Sequence, residues 1–145
     1  MSAGPRGIAR REFVATCSAC CAALFLSACA SLVTHPVPMS AGRVRVSLDA
    51  FPDLARPDGA IKILPEGMSD PIYILARGGD GFGALSPICT HRGCTVDVQG
   101  DRLVCPCHGS TYDRDGRVLK GPAQRALTRY PVTRSGGDLI IEVGS

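Results

Sequence analysis

Cys89-Thr90-His91-Arg92-Gly93-Cys94 and, further along, Cys105-Pro106-Cys107-His108-Gly109-Ser110-Thr111-Tyr112 each set cysteine beside histidine at close spacing. Taken as donors, Cys89 and His91 read C-x-H, Cys105 and His108 read C-x2-H, and 13 residues lie between the two pairs. Two thiolates and two imidazoles on paired loops make a metal site. Two cysteines with two histidines are also an ordinary tetrahedral zinc set. Zinc sites, however, usually pair cysteine with cysteine and histidine with histidine. Here each loop mixes the two and adds a further cysteine, Cys94 or Cys107. A thiol-nucleophile reading, with Cys89 or Cys105 beside a histidine, has less to support it. An iron-sulfur centre suits the mixture, because imidazoles replacing two thiolates on one iron remove negative charge and raise the reduction potential.

Both segments resemble the Rieske iron-sulfur family, in its high-potential branch with C-T-H-x-G-C and C-P-C-H-G-S-x-Y. Iron-sulfur subunits of cytochrome bc complexes and small subunits of arsenite oxidase belong to that branch. The resemblance implies one Rieske-type 2Fe-2S cluster per chain, with Cys89 and Cys105 on one iron and the solvent-facing His91 and His108 on the other. It implies a disulfide between Cys94 and Cys107 that clips the loops together. It also implies that the Ser110 hydroxyl donates to a bridging sulfide and the Tyr112 hydroxyl to the sulfur of Cys89. Donors to sulfur favour the reduced state and raise the potential. Gly121-Pro122-Ala123 resembles the start of the family's proline loop, which covers the cluster from a third side. Gln124 stands where that loop usually ends in proline, which puts its rigidity in question.

The rest of the chain is consistent with a small β domain. Its 145 residues include 17 glycines and 11 prolines with few aromatic side chains, a composition suited to short strands and turns in one domain. Alternating or β-rich runs at 44–48, 61–64, 72–76, 82–85 and 139–143 read as strands. Arg77-Gly78-Gly79-Asp80-Gly81 and Arg134-Ser135-Gly136-Gly137-Asp138 read as hairpin loops. The expected fold class is all-β, a small antiparallel Rieske-type β-sandwich with a cluster-binding subdomain of two loops. The formal net charge of +3 owes most of its excess to Arg6, Arg10 and Arg11 near the N-terminus. The near-neutral remainder argues against a nucleic-acid partner.

Residues 1–33 read as an export signal or a membrane anchor. Arg10-Arg11-Glu12-Phe13-Val14 resembles a twin-arginine signal, followed by an uncharged stretch to Val33. Leu26-Ser27-Ala28-Cys29 resembles a lipobox, which makes Cys29 the lipidation candidate. The alternative is an uncleaved helix, since about 20 apolar residues span a bilayer. Cys17, Cys20 and Cys21 form C-x2-C-C, but without polar neighbours they read as ordinary apolar side chains. Residues 34–43 are expected to be an extended linker with a solvated His35, and 44–145 the folded domain. The chain is thus expected to be exported, to the periplasm or the outer face of a bacterial membrane, and tethered there.

Two function classes follow. One is a relay that passes electrons between redox proteins, such as a cytochrome or a periplasmic oxidoreductase. The other is the iron-sulfur subunit of a quinol-oxidising cytochrome bc-type complex, and so part of an enzyme. Arg92 stands where quinol-oxidising subunits usually carry an apolar residue, and a guanidinium there disfavours an apolar quinol surface. With the short spacing, Gln124 and the lipobox, it favours the relay.

Overall fold

The computed structural model describes residues 31–144. Along the chain the strands are β1 (Thr34–Val37), β2 (Met39–Ser40), β3 (Arg43–Ser47), β4 (Ala60–Pro65), β5 (Ile72–Ala76), β6 (Phe82–Leu85), β7 (Asp97–Gln99), β8 (Arg102–Val104), β9 (Thr111–Asp113), β10 (Val118–Lys120), β11 (Arg129–Tyr130), β12 (Val132–Ser135) and β13 (Asp138–Glu142). A 3-10 turn at Pro52–Ala55 is the only helical element among the described residues. The strands form a five-stranded sheet β1-β4-β5-β6-β11, a four-stranded sheet β12-β13-β3-β2 and a second four-stranded sheet β10-β9-β8-β7. No helix of the described residues is long and apolar enough to cross a membrane.

β5 explains how the sheets divide the interior. Its sequence Ile72-Tyr73-Ile74-Leu75-Ala76 is buried at every position, so both faces of the strand must be covered. Side chains alternate across a strand. Ile72 and Ile74 therefore join one core with Val44 and Val46 of β3, Ile61 and Ile63 of β4, and Leu139 and Ile141 of β13. Tyr73 and Leu75 join the other with Leu85, Val96, Leu103, Tyr112 and Leu127. β3 and β4 show the simpler pattern of one buried and one wetter face. Each fully buried Ile or Leu stabilises the fold by roughly 1.5–3 kcal/mol over an exposed one, which makes β5 the costliest strand to disrupt.

Two polar side chains tie together the segments around the second core, and one of them reaches the end of the first metal-site loop. Buried Tyr73 donates its hydroxyl to Val96 O at 2.7 Å, just beyond the first loop. Arg114, at the end of β9, donates from Nε to Ala76 O at 2.9 Å, from one terminal nitrogen to Gly100 O at 2.8 Å, and from the other to Gly59 O. Its planar fork thus joins the β9 side to two segments flanking β4 and β5 and to the β7–β8 turn, a task an ammonium group could not perform.

The all-β, largely antiparallel architecture is as expected, and the 72–76 and 82–85 strands have the expected bounds. Both glycine-rich stretches are hairpin loops: Arg77 N donates to Gly81 O at 2.9 Å, and Ser135 is the register partner of Asp138. The linker expectation needs correction. Residues 34–43 are not a free tether, because β1 pairs parallel with β4 and β2 pairs with β3. Val37 is buried in the first core, and the compact unit begins at Ser31. Pro36 is tolerated because β1 lies at the sheet edge, where a missing N–H need not break a ladder. His35 is half-buried, with its ring edge-on to Phe51 at a centroid distance of 5.1 Å. The signal, lipobox and anchor readings, with Cys17, Cys20, Cys21 and Cys29, fall outside the described residues.

Burial, with Asp97 nearby, pushes the Tyr73 phenol up to about 12 from 10.0. The fold therefore keeps a proton that the unfolded chain loses above the lower value, so this contribution is full below pH 10 and is lost as pH rises toward 12. We expect unfolding free energy to fall across that window by at most about 2–3 kcal/mol from this group. In urea titrations at stepped pH, Tyr73→Phe should flatten the alkaline slope; an unchanged slope would contradict the assignment.

Candidate metal centre

The two loops that carry the cysteine–histidine pairs are built alike. The first leaves β6 and is closed by an antiparallel bridge between Ile88 and Thr95. The second joins β8 to β9, whose Val104 and Thr111 are register partners. Inside the first, Cys89 N donates to Cys94 O at 2.8 Å and Gly93 N to Cys89 O at 2.8 Å. Inside the second, Cys105 N donates to Ser110 O at 2.8 Å and Gly109 N to Cys105 O at 2.9 Å. The bond back to each cysteine carbonyl comes from a residue in the left-handed region, Gly93 at φ 80° and Gly109 at φ 75°. Glycine adopts that conformation without the steric cost a side chain would meet.

This repeated turn sorts the cysteines. Cys89 and Cys105 are 2% and 1% exposed and remain free thiols. Cys94 and Cys107 are joined in a disulfide across the loops. The sulfurs of Cys94, Cys105 and Cys107 lie within 4.8 Å of one another, but the disulfide uses two of them, so Cys105 alone of these three can serve as a thiolate donor.

His91 and His108 meet edge to face, with ring centroids 4.8 Å apart and planes at 88°. His108 is exposed and His91 half-buried, so the histidine edge is the open side of the site. The His91 Nδ1 atom is buried without a hydrogen-bond partner. A buried polar atom left unpaired costs about 1–3 kcal/mol, and a metal ion bonded to that nitrogen would remove the penalty. Two buried free sulfurs, two adjoining imidazoles and this orphaned nitrogen fit an iron-sulfur cluster with mixed ligands.

Tyr112 and Ser110, both fully buried, close the site from behind. The Tyr112 hydroxyl lies 3.3 Å from Cys89 Sγ and 3.2 Å from Thr90 Oγ1, and accepts from Thr90 N at 3.3 Å. Thr90 Oγ1 donates its single proton to Arg125 O at 2.6 Å. The phenol must then supply the proton for any bond to Thr90 Oγ1, and it is the donor to Cys89 Sγ whenever that sulfur is a thiolate. Burial pushes the Cys89 thiol up, but hydrogen bonds from Tyr112, the His91 backbone, Cys105 and Ser110 outweigh it and hold the thiol below its ordinary range. Burial pushes Cys105 up, and Cys89 adds to the rise against backbone donors at Cys107 and His108. Burial, then Cys89, raises Tyr112, which keeps it a proton donor.

A third segment docks onto both loops. Ala123 N donates to Ser110 Oγ at 3.0 Å, while the Thr90–Arg125 bond fastens the other side. The rigidity that Gln124 puts in question is thus supplied by hydrogen bonds on either side of it. Sequence reasoning did not single out Thr90, Arg125 or Tyr73, since their partners lie 35, 35 and 23 positions away in the chain.

A family model for the Rieske 2Fe-2S domain matches residues 58–131, and the chain belongs to that family. Its cofactor is a 2Fe-2S cluster. Among curated proteins, the chain is 36% identical over 89 residues to the cytochrome b6-f complex iron-sulfur subunit of Chlorobaculum tepidum, covering 60% of this chain and 48% of that one. It is 47% identical over 62 residues to the subunit of the same name from Prochlorococcus marinus, covering 40% and 35% respectively. The chain spans about half or less of the length of these relatives. Among solved structures, the ferredoxin of carbazole 1,9a-dioxygenase from Nocardioides aromaticivorans aligns with a TM-score of 0.53 at 20% identity, over 68% of this chain and 94% of that one. That likeness concerns the fold alone.

The disulfide bridges a separation of 13 residues, and closing a loop of that size stabilises by about 3 kcal/mol in the chain-entropy account. The Cys94→Ser/Cys107→Ser variant is expected to lose stability of that order and to release iron faster during mild heating, followed through the visible absorption of the cluster. Equal iron retention would show that the loops hold without their clip.

Proposed function

We propose that this chain is a high-potential one-electron carrier whose cluster is held by Cys89, Cys105, His91 and His108 and exchanges electrons through the histidine edge. When bound, the cluster gains and releases one electron at a time. The observation that carries the reading is the Tyr112 hydroxyl beside Cys89 Sγ, a buried donor aimed at a buried sulfur. A donor at that place stabilises added negative charge and raises the potential. Ser110 acts from the same side: its oxygen accepts from Ala123 N, which leaves its own proton for the cluster's sulfur. The backbone turns hold both sulfurs in place, and the second core excludes water from them. Exposed His108 and half-buried His91 face the partner.

The disulfide supports an oxidising compartment, and with it the export reading of residues 1–33. Tethering through Cys29 or through an uncleaved helix belongs to the same proposal. A second reading, a subunit of a quinol-oxidising cytochrome bc-type complex, draws support from the names of the relatives. Against a quinol surface stands Arg92, exposed beside His91, because seating an apolar ring there would strip water from a guanidinium. We favour the relay, with a cytochrome or another redox protein as its partner.

The reduced full chain should give a Rieske-type EPR spectrum and a positive midpoint potential at neutral pH. A mononuclear metal signal would overturn the ligand set. Tyr112→Phe should lower the midpoint by roughly 60 mV, the one-electron equivalent of about 1.4 kcal/mol for one lost donor. A potential unchanged in protein-film voltammetry would refute the tyrosine's role.

A further inference from the structure

The three segments around the histidine edge, 86–95, 105–112 and 119–128, contain Arg92, Lys120 and Arg125 and no aspartate or glutamate. All three cations are exposed. None makes an ion pair among the described residues, whereas Arg43, Arg45, Arg56, Arg77, Arg102, Arg117 and Arg134 each do. Elsewhere among the described residues most arginines are matched with carboxylates; Lys62, Arg114 and Arg129 also lack an ion pair, but around the site the unpaired cations stand in segments that carry no carboxylate at all. Gathering like charges gives the fold no stability, which leaves an external anion as the group they suit.

The shape agrees with the charge. Thr90, His91, Pro122, Gln124 and Arg125 line an open cleft of about 450 Å³. Thr90 Oγ1 holds the Arg125 carbonyl, so the backbone that presents this guanidinium is fixed beside His91. Leu119, next to Lys120, is 54% exposed, one of two large hydrophobics so exposed among the described residues. A polar cleft with a guanidinium in its lining matches the polar, charged surface of a protein better than an apolar ring.

We propose that this face docks the acidic surface of a redox protein, with a partner carboxylate seated in the cleft against Arg125, and with Arg92 and Lys120 steering the approach. This rests on the reading of the site as the cluster's exit. One electron leaves this chain and one is gained by the partner's redox centre, with no bond made or broken. Steering of this kind acts through the summed field of the face, so it weakens as salt screens it.

The test uses the full chain with its cluster verified by EPR, and two soluble cytochromes of similar potential, one acidic and one basic at the haem edge. Stopped-flow oxidation by the acidic cytochrome should slow about tenfold from low to high ionic strength, while the basic one speeds up. Arg92→Gln/Arg125→Gln should remove most of that salt dependence, whereas Arg45→Gln, on β3, should not. Affinity for the acidic cytochrome, measured by calorimetry at low salt, should fall in parallel. That affinity reads the face even in a chain that lacks the EPR signal, so failure of the cluster reading and failure of the docking proposal can be told apart. Equal affinity and equal salt dependence in the double variant would overturn the proposal. So would a variant that loses only its binding to vesicles of anionic phospholipid.

Discussion

Each cluster loop begins with a buried cysteine whose carbonyl accepts from a left-handed glycine five positions on in the count that includes both ends, and the rest of the site is built on that turn. The bonds from Gly93 N to Cys89 O and from Gly109 N to Cys105 O curl the chain tightly enough to carry a histidine out to the open edge while the sulfur stays inside. The Cys94–Cys107 bridge then ties one curl to the other. Because the two sulfurs are buried and the two imidazoles face outward, polarity runs across the site from a dry interior to a wet rim. On the proposed reading, charge added inside would be met by donors such as Tyr112, and the rim would be left for exchange.

That arrangement is only as firm as the sheets beneath it. β5 supplies both cores from alternate residues, so the packing of the outer sheets and the packing beneath the loops share one strand. Tyr73 reaches from it to Val96 O at the end of the first loop, and Arg114 gathers three backbone carbonyls from separate segments. These long side chains do by hydrogen bonding what the short strands β7 to β10 could not do by area alone. A site on three-residue strands needs such ties, since a short isolated hairpin is marginal in water.

The surface divides in the same way. Most arginines on the body of the domain are paired with carboxylates, Arg114 and Arg129 being the exceptions among the described residues. Arg92 and Arg125 at the rim are not paired, and they stand by His91 in segments without carboxylates. Salt bridges on an exposed surface stabilise little, typically under about 1 kcal/mol. The contrast between body and rim therefore bears on recognition more than on folding.

How much of this could be read from the chain depends on the distance over which each feature is encoded. The candidate donors were legible because cysteine, histidine and glycine stand within a few residues of one another, and the spacing itself points to metal chemistry. Strands made of continuous apolar, β-rich runs, such as 72–76 and 82–85, were equally plain. β1 was not, because a proline-containing edge strand has the composition of a linker and gains its structure only from β4. β7 to β10 escaped notice for a related reason: three residues are too few to show a period. By itself the sequence pointed to the candidate donors, since cysteine and histidine at close spacing are a local feature, whereas the glycine-closed turn of each loop came from the structure. Only the tertiary structure decided that Tyr112 meets Cys89, that Thr90 and Ser110 hold the third segment, and that Arg92 and Arg125 share a rim without carboxylates, since each depends on chain segments brought together by burial of the two cores.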